Sequence, residues 1–74
     1  MKASKLLGIL KTDLGYEIKK QTGSHRKMQS PQHPDVLFSY HDGASVAPGV
    51  VRKILEKDVG LTATEAQQLL GLRS

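Results

Sequence analysis

The sequence predicts a small α+β domain in which helices cover one face of a three-stranded antiparallel sheet, in the order α-β-β-β-α-α. Three observations support this prediction. Apolar residues recur every three or four positions near both ends of the chain, as in helices with one buried side. Between these segments apolar and polar residues alternate, as in strands. The connections between the strands are short, which favours antiparallel neighbours.

The first helix is predicted over residues 4–14. Its apolar residues lie at helical spacing and form one stripe: Leu6, Leu7, Leu10 and Leu14. Ser4 is the predicted N-cap because its hydroxyl can accept a hydrogen bond from a free N–H of the first turn. Gly15 is expected to end the helix, since glycine readily adopts the backbone conformation that follows a helix C-terminus.

The first strand starts at Tyr16, where the period of the apolar residues changes to two. Simple alternation places Lys20 on the same side as Tyr16 and places Lys19 on the opposite side. The predicted turn after this strand is Thr22-Gly23-Ser24, in which Gly23 supplies a positive φ.

The second strand is predicted over residues 25–30 and the third over residues 36–41, whose β-branched and aromatic residues favour a strand. Two prolines exclude regular pairing in the loop over residues 31–35. Alternation places several polar residues on the side of the sheet that faces away from the helices, which we call the open face. The residues predicted there are Lys19, His25, Lys27, Ser39 and His41.

Two further helices are predicted after the sheet. Pro48 suits the first turn of the second helix, and Gly60 is expected to stop it. Thr62 and Glu65 have the spacing of a capping box, in which each side chain accepts a hydrogen bond from the other residue's backbone N–H. This pattern predicts a third helix over residues 62–71.

The composition limits the class of protein. A chain of 74 residues is expected to form a single domain with a small core. It contains no cysteine, which excludes disulfides, thiolate zinc sites and cysteine nucleophiles and fits a cytoplasmic location. No apolar run is long enough to span a bilayer, so no membrane association is predicted.

Positive charge is concentrated in the N-terminal half of the chain. Residues 1–30 contain seven Lys and Arg residues against two acidic residues, and the whole chain has a net charge of +4. Such a patch favours a polyanionic partner such as RNA or DNA, because each neutralised phosphate releases counterions. The alternative interpretation is that scattered lysines only keep a small protein soluble.

Three short segments stand at the boundaries of predicted elements. They are Gly15-Tyr16 at the start of the first strand, Gly23-Ser24-His25 at the start of the second strand, and residues 48–55 (PGVVRKIL) at the start of the following helix. Together they resemble the HicA family of toxins. The resemblance implies one HicA-like domain over residues 1–74, with a core over residues 4–60 and an additional helix over residues 62–71. It also implies a fold like that of double-stranded-RNA-binding domains.

Members of this family act as mRNA interferases that a HicB antitoxin inhibits, so the resemblance implies an endoribonuclease toxin with His25 as its catalytic residue. RNA is cleaved without a metal when its own 2′-hydroxyl attacks the adjacent phosphorus, and an imidazole can remove the hydroxyl proton near neutral pH. His41 is the candidate general acid because it is predicted on the same face. No cofactor is expected. The residues expected to contact RNA are Lys19, Lys20, Gly23, Ser24, Arg26 and Lys27.

Two other functions stay open at this point. In a noncatalytic RNA-binding module of the same fold, the cations would contact RNA and His25 would be an ordinary solvent-exposed strand residue. In a protein-interaction domain, the third helix would bind a partner together with Val46, Leu61 and Leu72. A metal site is not expected, because no carboxylate accompanies the three histidines. No oligomeric state and no base preference are predicted.

Overall fold

The computed structural model describes residues 1–72 and confirms the predicted order of helices and strands. Helix α1 (Ala3–Thr12) comes first. The sheet consists of β1 (Glu17–Thr22), β2 (His25–Ser30) and β3 (His33–Phe38), which lie side by side in this order and run antiparallel. The last elements are α2 (Pro48–Lys53), its π-helical continuation (Ile54–Asp58) and α3 (Ala63–Leu72). This arrangement is consistent with the fold of a double-stranded-RNA-binding domain.

The core lies between the helices and one face of the sheet. Apolar side chains from α1 and α2 pack there against alternate residues of β2 and β3. Among the fully buried side chains are Leu6, Leu10, Met28, Phe38 and Leu55. The intervening residues of β2 and β3 turn to the open face, which the apolar core leaves free for polar side chains.

Helix α1 begins one residue earlier than predicted, and Ser4 is not its N-cap. The N–H of Ala3 donates to the carbonyl of Ala44 at 2.8 Å, and the N–H of Ser4 donates to the carbonyl of Asp42 at 3.2 Å. Both acceptors belong to the loop between β3 and α2. Backbone carbonyls of a distant loop therefore satisfy the free N–H groups that a capping side chain was expected to satisfy.

Strand β3 also begins earlier than predicted, at His33. The loop expected over residues 31–35 is a two-residue turn over residues 31–32. Pro34 is tolerated in the strand because β3 is at an edge of the sheet and the pairing with β2 shifts register near this residue. The strand ends at Phe38, so the predicted continuation to His41 is wrong.

Tyr16 connects the beginning of β1 to β3, although β2 lies between these strands. Its side chain is buried, its hydroxyl donates to the carbonyl of Pro34 at 2.6 Å, and its ring stacks on the ring of His33 with centroids 6.1 Å apart. Burial raises the pKa of the Tyr16 hydroxyl, and the carboxylates of Asp35 and Asp58 raise it further. His33 is thus held against the core by a stacking contact.

Helix α3 begins with the predicted capping box. The N–H of Thr62 donates to Glu65 Oε1 at 2.9 Å, and the N–H of Glu65 donates to Thr62 Oγ1 at 3.1 Å. The hydrogen bond from the Thr62 N–H to the Glu65 carboxyl, and then the Thr62 hydroxyl, hold the pKa of this carboxyl below its usual value. Ala66 is the buried residue that α3 contributes to the core. Across residues 1–72, no helix has the length and apolar character needed to cross a membrane.

Candidate functional site

A tight turn between β1 and β2 places His25 at the start of β2. Gly23 and Ser24 form the turn, and Thr22 pairs with His25 across it. Gly23 has a φ of +60°, as predicted, whereas Ser24 does not have a positive φ, and this is the pattern of a type II′ turn. Gln21 Nε2 donates to the carbonyl of Gly23 at 3.2 Å. The two-residue turn therefore fixes the register in which His25 enters the sheet.

The imidazole of His25 lies on the open face. Arg26 and Met28 are buried on the helix side, so the alternation of β2 turns His25 and Lys27 to the opposite side. His25 is exposed, and among residues 1–72 its ring has no hydrogen bond, ion pair or ring contact. The imidazole is therefore accessible to a ligand.

A β-bulge in β1 brings Lys20 onto the open face. Ile18 lies opposite Met28, but the register then shifts and Lys20 lies opposite Lys27. Directly opposed residues of antiparallel strands point to the same face, so Lys20 and Lys27 are neighbours. The prediction that Lys20 lies on the apolar side is therefore wrong, because the extra residue Lys19 reverses the alternation.

The lysines of this hairpin differ in their charge partners. Lys19 Nζ contacts Glu17 Oε2 at 2.9 Å, in an ion pair that is open to solvent on both sides. Lys20 and Lys27 form no ion pair with any residue that the structure describes. Like charges directly opposite each other destabilise a sheet, and an anion between them removes that repulsion. Lys20 and Lys27 thus present two neighbouring positive charges to an anion.

Arg26 is engaged on the other side of the sheet. Its guanidinium donates to the carbonyl of Tyr40 at 3.1 Å and to Asp42 Oδ1 at 2.8 Å, and its side chain is 10% exposed. The structure does not bring this predicted RNA contact together with Lys20 and Lys27. Arg26 instead holds the segment that follows β3.

His41 lies in this segment, after β3 has ended at Phe38. The residue is exposed, and its carbonyl accepts a hydrogen bond from the N–H of Ala44 at 2.9 Å. Ser39, which was also predicted for the open face, lies outside the strand as well. No ring contact joins His41 to His25 in the described part of the chain. The role of His41 as general acid stays a prediction.

Leu37 is an open-face residue that the sequence interpretation missed. It is 63% exposed and lies opposite Lys27. The signal for it was present, because Leu37 stands between Val36 and Phe38, and both of these are strongly apolar residues of one strand. Either Val36 and Phe38 are buried and Leu37 is exposed, or Leu37 is buried and the other two are exposed. The pairing of β3 with β2 decides between these two arrangements.

The apolar residues predicted to bind a protein partner do not form one exposed surface. Val46 is 2% exposed and belongs to the core, so the prediction that it joins Leu61 and Leu72 in a protein-binding surface is wrong. Leu72 is 84% exposed, whereas Leu61 packs partly against the core. Within residues 1–72 no three His, Asp or Glu side chains are grouped as a metal site requires.

The family model described as HicA toxin of bacterial toxin-antitoxin matches residues 3–61 of the 74-residue chain. The chain belongs to the HicA toxin family. The match includes α1, the whole sheet, α2 and every candidate site residue, and it ends before α3. The comparison with curated proteins gave no match, and neither did the comparison with solved structures.

Membership of the HicA family gives this chain the role of a toxin and implies an antitoxin as its partner. The residues of the open face then form the candidate functional site. They are Lys20, His25, Lys27 and Leu37, with the turn residues Gly23 and Ser24 at one end. Acidic residues occupy the other end, where Gln29 Nε2 donates to Asp35 Oδ2 at 3.3 Å and Glu17 lies opposite Gln29. The open face is therefore positively charged only near His25.

Proposed function

We propose that this HicA toxin is an endoribonuclease that cleaves mRNA without a metal cofactor and thereby blocks translation. The observation that carries the proposal is the exposed imidazole of His25 on the same face as Lys20 and Lys27, two lysines that form no ion pair within residues 1–72. RNA supplies the phosphates that such lysines bind, and it supplies the hydroxyl that an imidazole activates. The match to a toxin family supports a damaging activity of this kind.

In the proposed reaction, a ring nitrogen of His25 takes the proton from a ribose 2′-hydroxyl. The 2′-oxygen forms a bond to the adjacent phosphorus as the bond from phosphorus to the 5′-oxygen breaks. The products are a 2′,3′-cyclic phosphate and an RNA with a free 5′-hydroxyl. Lys20 and Lys27 stabilise the negative charge that develops on the non-bridging oxygens. The proton that the departing 5′-oxygen requires comes from His41 or from water.

The domain bounds, the cellular location and the type of antitoxin belong to the same proposal. Residues 4–60 form the HicA core and α3 is an addition to it, within one domain over residues 1–74. Substrate mRNA places the activity in the cytoplasm. The antitoxin is of the HicB type, and acidic side chains on its surface neutralise Lys20 and Lys27 as RNA phosphates do.

The substitution His25→Ala tests the proposal. We expect the variant to stay folded, because the side chain is exposed and makes no hydrogen bond, ion pair or ring contact within residues 1–72. Cleavage of a single-stranded RNA should fall by about 10²- to 10⁴-fold, the usual contribution of a general base. The measurement is the rate of RNA cleavage in the presence of EDTA, with circular dichroism to check the fold and growth of expressing cells as a second readout.

Two controls define the outcome of this experiment. The same RNA with a 2′-deoxyribose at the cleaved position should resist the wild-type toxin, because its nucleophile is missing. His41→Ala should slow the reaction less than His25→Ala if water can replace it as proton donor. Undiminished cleavage by the His25→Ala variant in EDTA would show that the general base is assigned wrongly.

A noncatalytic RNA-binding module is the second candidate function. The opposed lysines favour it equally, because phosphate binding by Lys20 and Lys27 does not require His25. This function predicts that the wild-type chain binds RNA without cleaving it. It also predicts that His25→Ala leaves both RNA affinity and cellular growth as they are with the wild type.

A further inference from the structure

Leu37 is an exposed apolar side chain on the edge strand β3, next to the lysines of the open face. It is 63% exposed, although its neighbours Val36 and Phe38 are 2% and 1% exposed. The alternation of β3 therefore directs Leu37 to the open face, where it lies directly opposite Lys27. Lys27 in turn lies opposite Lys20. One row across the three strands thus contains two cations followed by an exposed leucine.

This row is adjacent to the proposed catalytic residue. His25 and Lys27 are two residues apart on the same face of β2, which corresponds to a separation of about 7 Å along the strand. On the other side of the row, Gln29 donates to Asp35 at 3.3 Å, so that polar groups there are already paired. Leu37 is the direct cross-strand neighbour of Lys27, so a ligand that binds Lys27 and reaches His25 can extend onto Leu37.

We propose that Leu37 contacts a nucleobase of single-stranded RNA whose phosphates are bound by Lys20 and Lys27. This inference rests on the proposed function, because it takes RNA as the ligand of the open face. A nucleotide joins an anionic phosphate to a flat base that is poorly hydrated on its faces, and the row offers cations next to an apolar side chain. The base covers Leu37 while its phosphate lies between the lysines.

The contact selects single strands over duplexes. In a duplex the bases are stacked on one another and paired, so that their faces are not accessible to a side chain of the sheet. In a single strand a base can turn outward and lie on a side chain. Leu37 is therefore a positioning residue, which places the ribose next to the held base within reach of His25.

The experiment measures RNA affinity in a His25→Ala background, so that the RNA is not consumed. The variant Leu37→Thr keeps a side chain that favours strands but removes most of the apolar contact. Three probes are compared: a single-stranded RNA oligonucleotide, the same sequence as a duplex, and inorganic polyphosphate, which has no bases. We expect Leu37→Thr to bind the single strand about three- to tenfold more weakly and to bind the other two probes unchanged.

Two further variants sharpen the result. Leu37→Tyr should bind the single strand more tightly than the parent, since an aromatic ring stacks on a base better than a leucine does. Leu72→Thr is the matched control, because Leu72 is also an exposed leucine, at 84%, but lies on α3. It should change the affinity for none of the probes. The salt dependence should stay the same in all of these variants, because no phosphate contact is lost.

The inference and the proposed function fail in different ways. Unchanged affinity of Leu37→Thr for the single strand would overturn the base contact, and so would an equal loss for single strand and polyphosphate. Neither result bears on cleavage by His25, because cleavage is tested separately by comparing the wild type with His25→Ala. Conversely, cleavage that survives His25→Ala would refute the proposed general base, while selective loss of single-strand binding in Leu37→Thr would still support the base contact.

Discussion

Arg26 and Lys27 follow each other in β2, and the pleat of the strand turns their side chains to opposite sides of the sheet. Arg26 is buried and hydrogen-bonded to Tyr40 and Asp42, whereas Lys27 is exposed beside Lys20. Two cations that look equivalent in the sequence therefore have different roles. Arg26 orders the chain that leads from β3 to α2, and Lys27 carries charge that the fold itself does not use.

The neighbouring substitutions Arg26→Gln and Lys27→Gln should separate these roles. Arg26→Gln should lower the free energy of unfolding by about 1–2 kcal/mol, because it removes charge-assisted hydrogen bonds but leaves Asp42 largely exposed to water. Lys27→Gln should leave stability unchanged or raise it by about 0.2–1 kcal/mol, since it removes the repulsion from Lys20. Urea unfolding measures both effects.

RNA affinity should respond in the reverse order. Lys27→Gln should weaken the binding of single-stranded RNA, whereas folded Arg26→Gln should bind RNA as the wild type does at temperatures well below its unfolding midpoint. Equal losses of RNA affinity in the two folded variants would contradict the assignment of Arg26 to a structural role.

The bulge in β1 determines which lysines of the hairpin act together. It places Lys20 opposite Lys27 and leaves Lys19 beside Glu17. We therefore expect Lys20→Gln to reduce the slope of log affinity against log salt by about 0.7, the value for one lost phosphate contact on a single strand. Lys19→Gln should reduce it less, because Lys19 is already paired with a carboxylate. A larger effect for Lys19→Gln than for Lys20→Gln would contradict the bulge, because it would indicate that Lys19 is the lysine next to Lys27.

The bulge also shows where prediction from sequence ends. Residue periodicity predicted the existence of all three strands and the exposure of His25, because one face of each strand must be apolar. It did not predict the extra residue in β1, since a bulge depends on the pairing with β2 and leaves no mark in the polar sequence around Lys19 and Lys20. The error concerned the candidate site, because a register change moves a side chain to the other face.

The bounds of β3 were mispredicted for a related reason. Pro34 counts against a central strand, but β3 lies at the edge of the sheet, and the order of strands is a property of the tertiary structure. Beyond the early end of β3, the carbonyl of Tyr40 accepts a hydrogen bond from Arg26, a contact that is distant in sequence. By contrast, the capping box of Thr62 and Glu65 is local, and the sequence predicted it correctly.

At the scale of the whole molecule, the two sides of the sheet have separate tasks. The helices and the apolar residues of β2 and β3 form the core on one side. The side chains of Lys20, His25, Lys27 and Leu37 on the other side contribute little to that core, so they can be selected for a ligand. This separation explains why substitutions on the open face are expected to change RNA binding and cleavage without unfolding a domain of this small size.

Tyr16 gives the whole molecule a characteristic response to alkaline pH. Its raised pKa means that the folded state retains the hydroxyl proton at a pH where the unfolded chain, with a pKa of about 10, has begun to lose it. The contribution of Tyr16 to stability is therefore complete below about pH 10 and is lost as the pH rises through the higher pKa of the folded state. Stability should fall in this range.

The variant Tyr16→Phe should lack this part of the alkaline response. At about pH 8 it should be less stable than the wild type by about 0.5–1.5 kcal/mol, since the hydrogen bond to the carbonyl of Pro34 is lost. Between about pH 8 and about pH 11 its urea midpoint should fall less than that of the wild type, because phenylalanine cannot ionise. Tyr40→Phe is the control and should retain the wild-type fall, because it leaves Tyr16 buried against His33 and Pro34. An identical alkaline fall in Tyr16→Phe and the wild type would show that Tyr16 does not link the fold to pH.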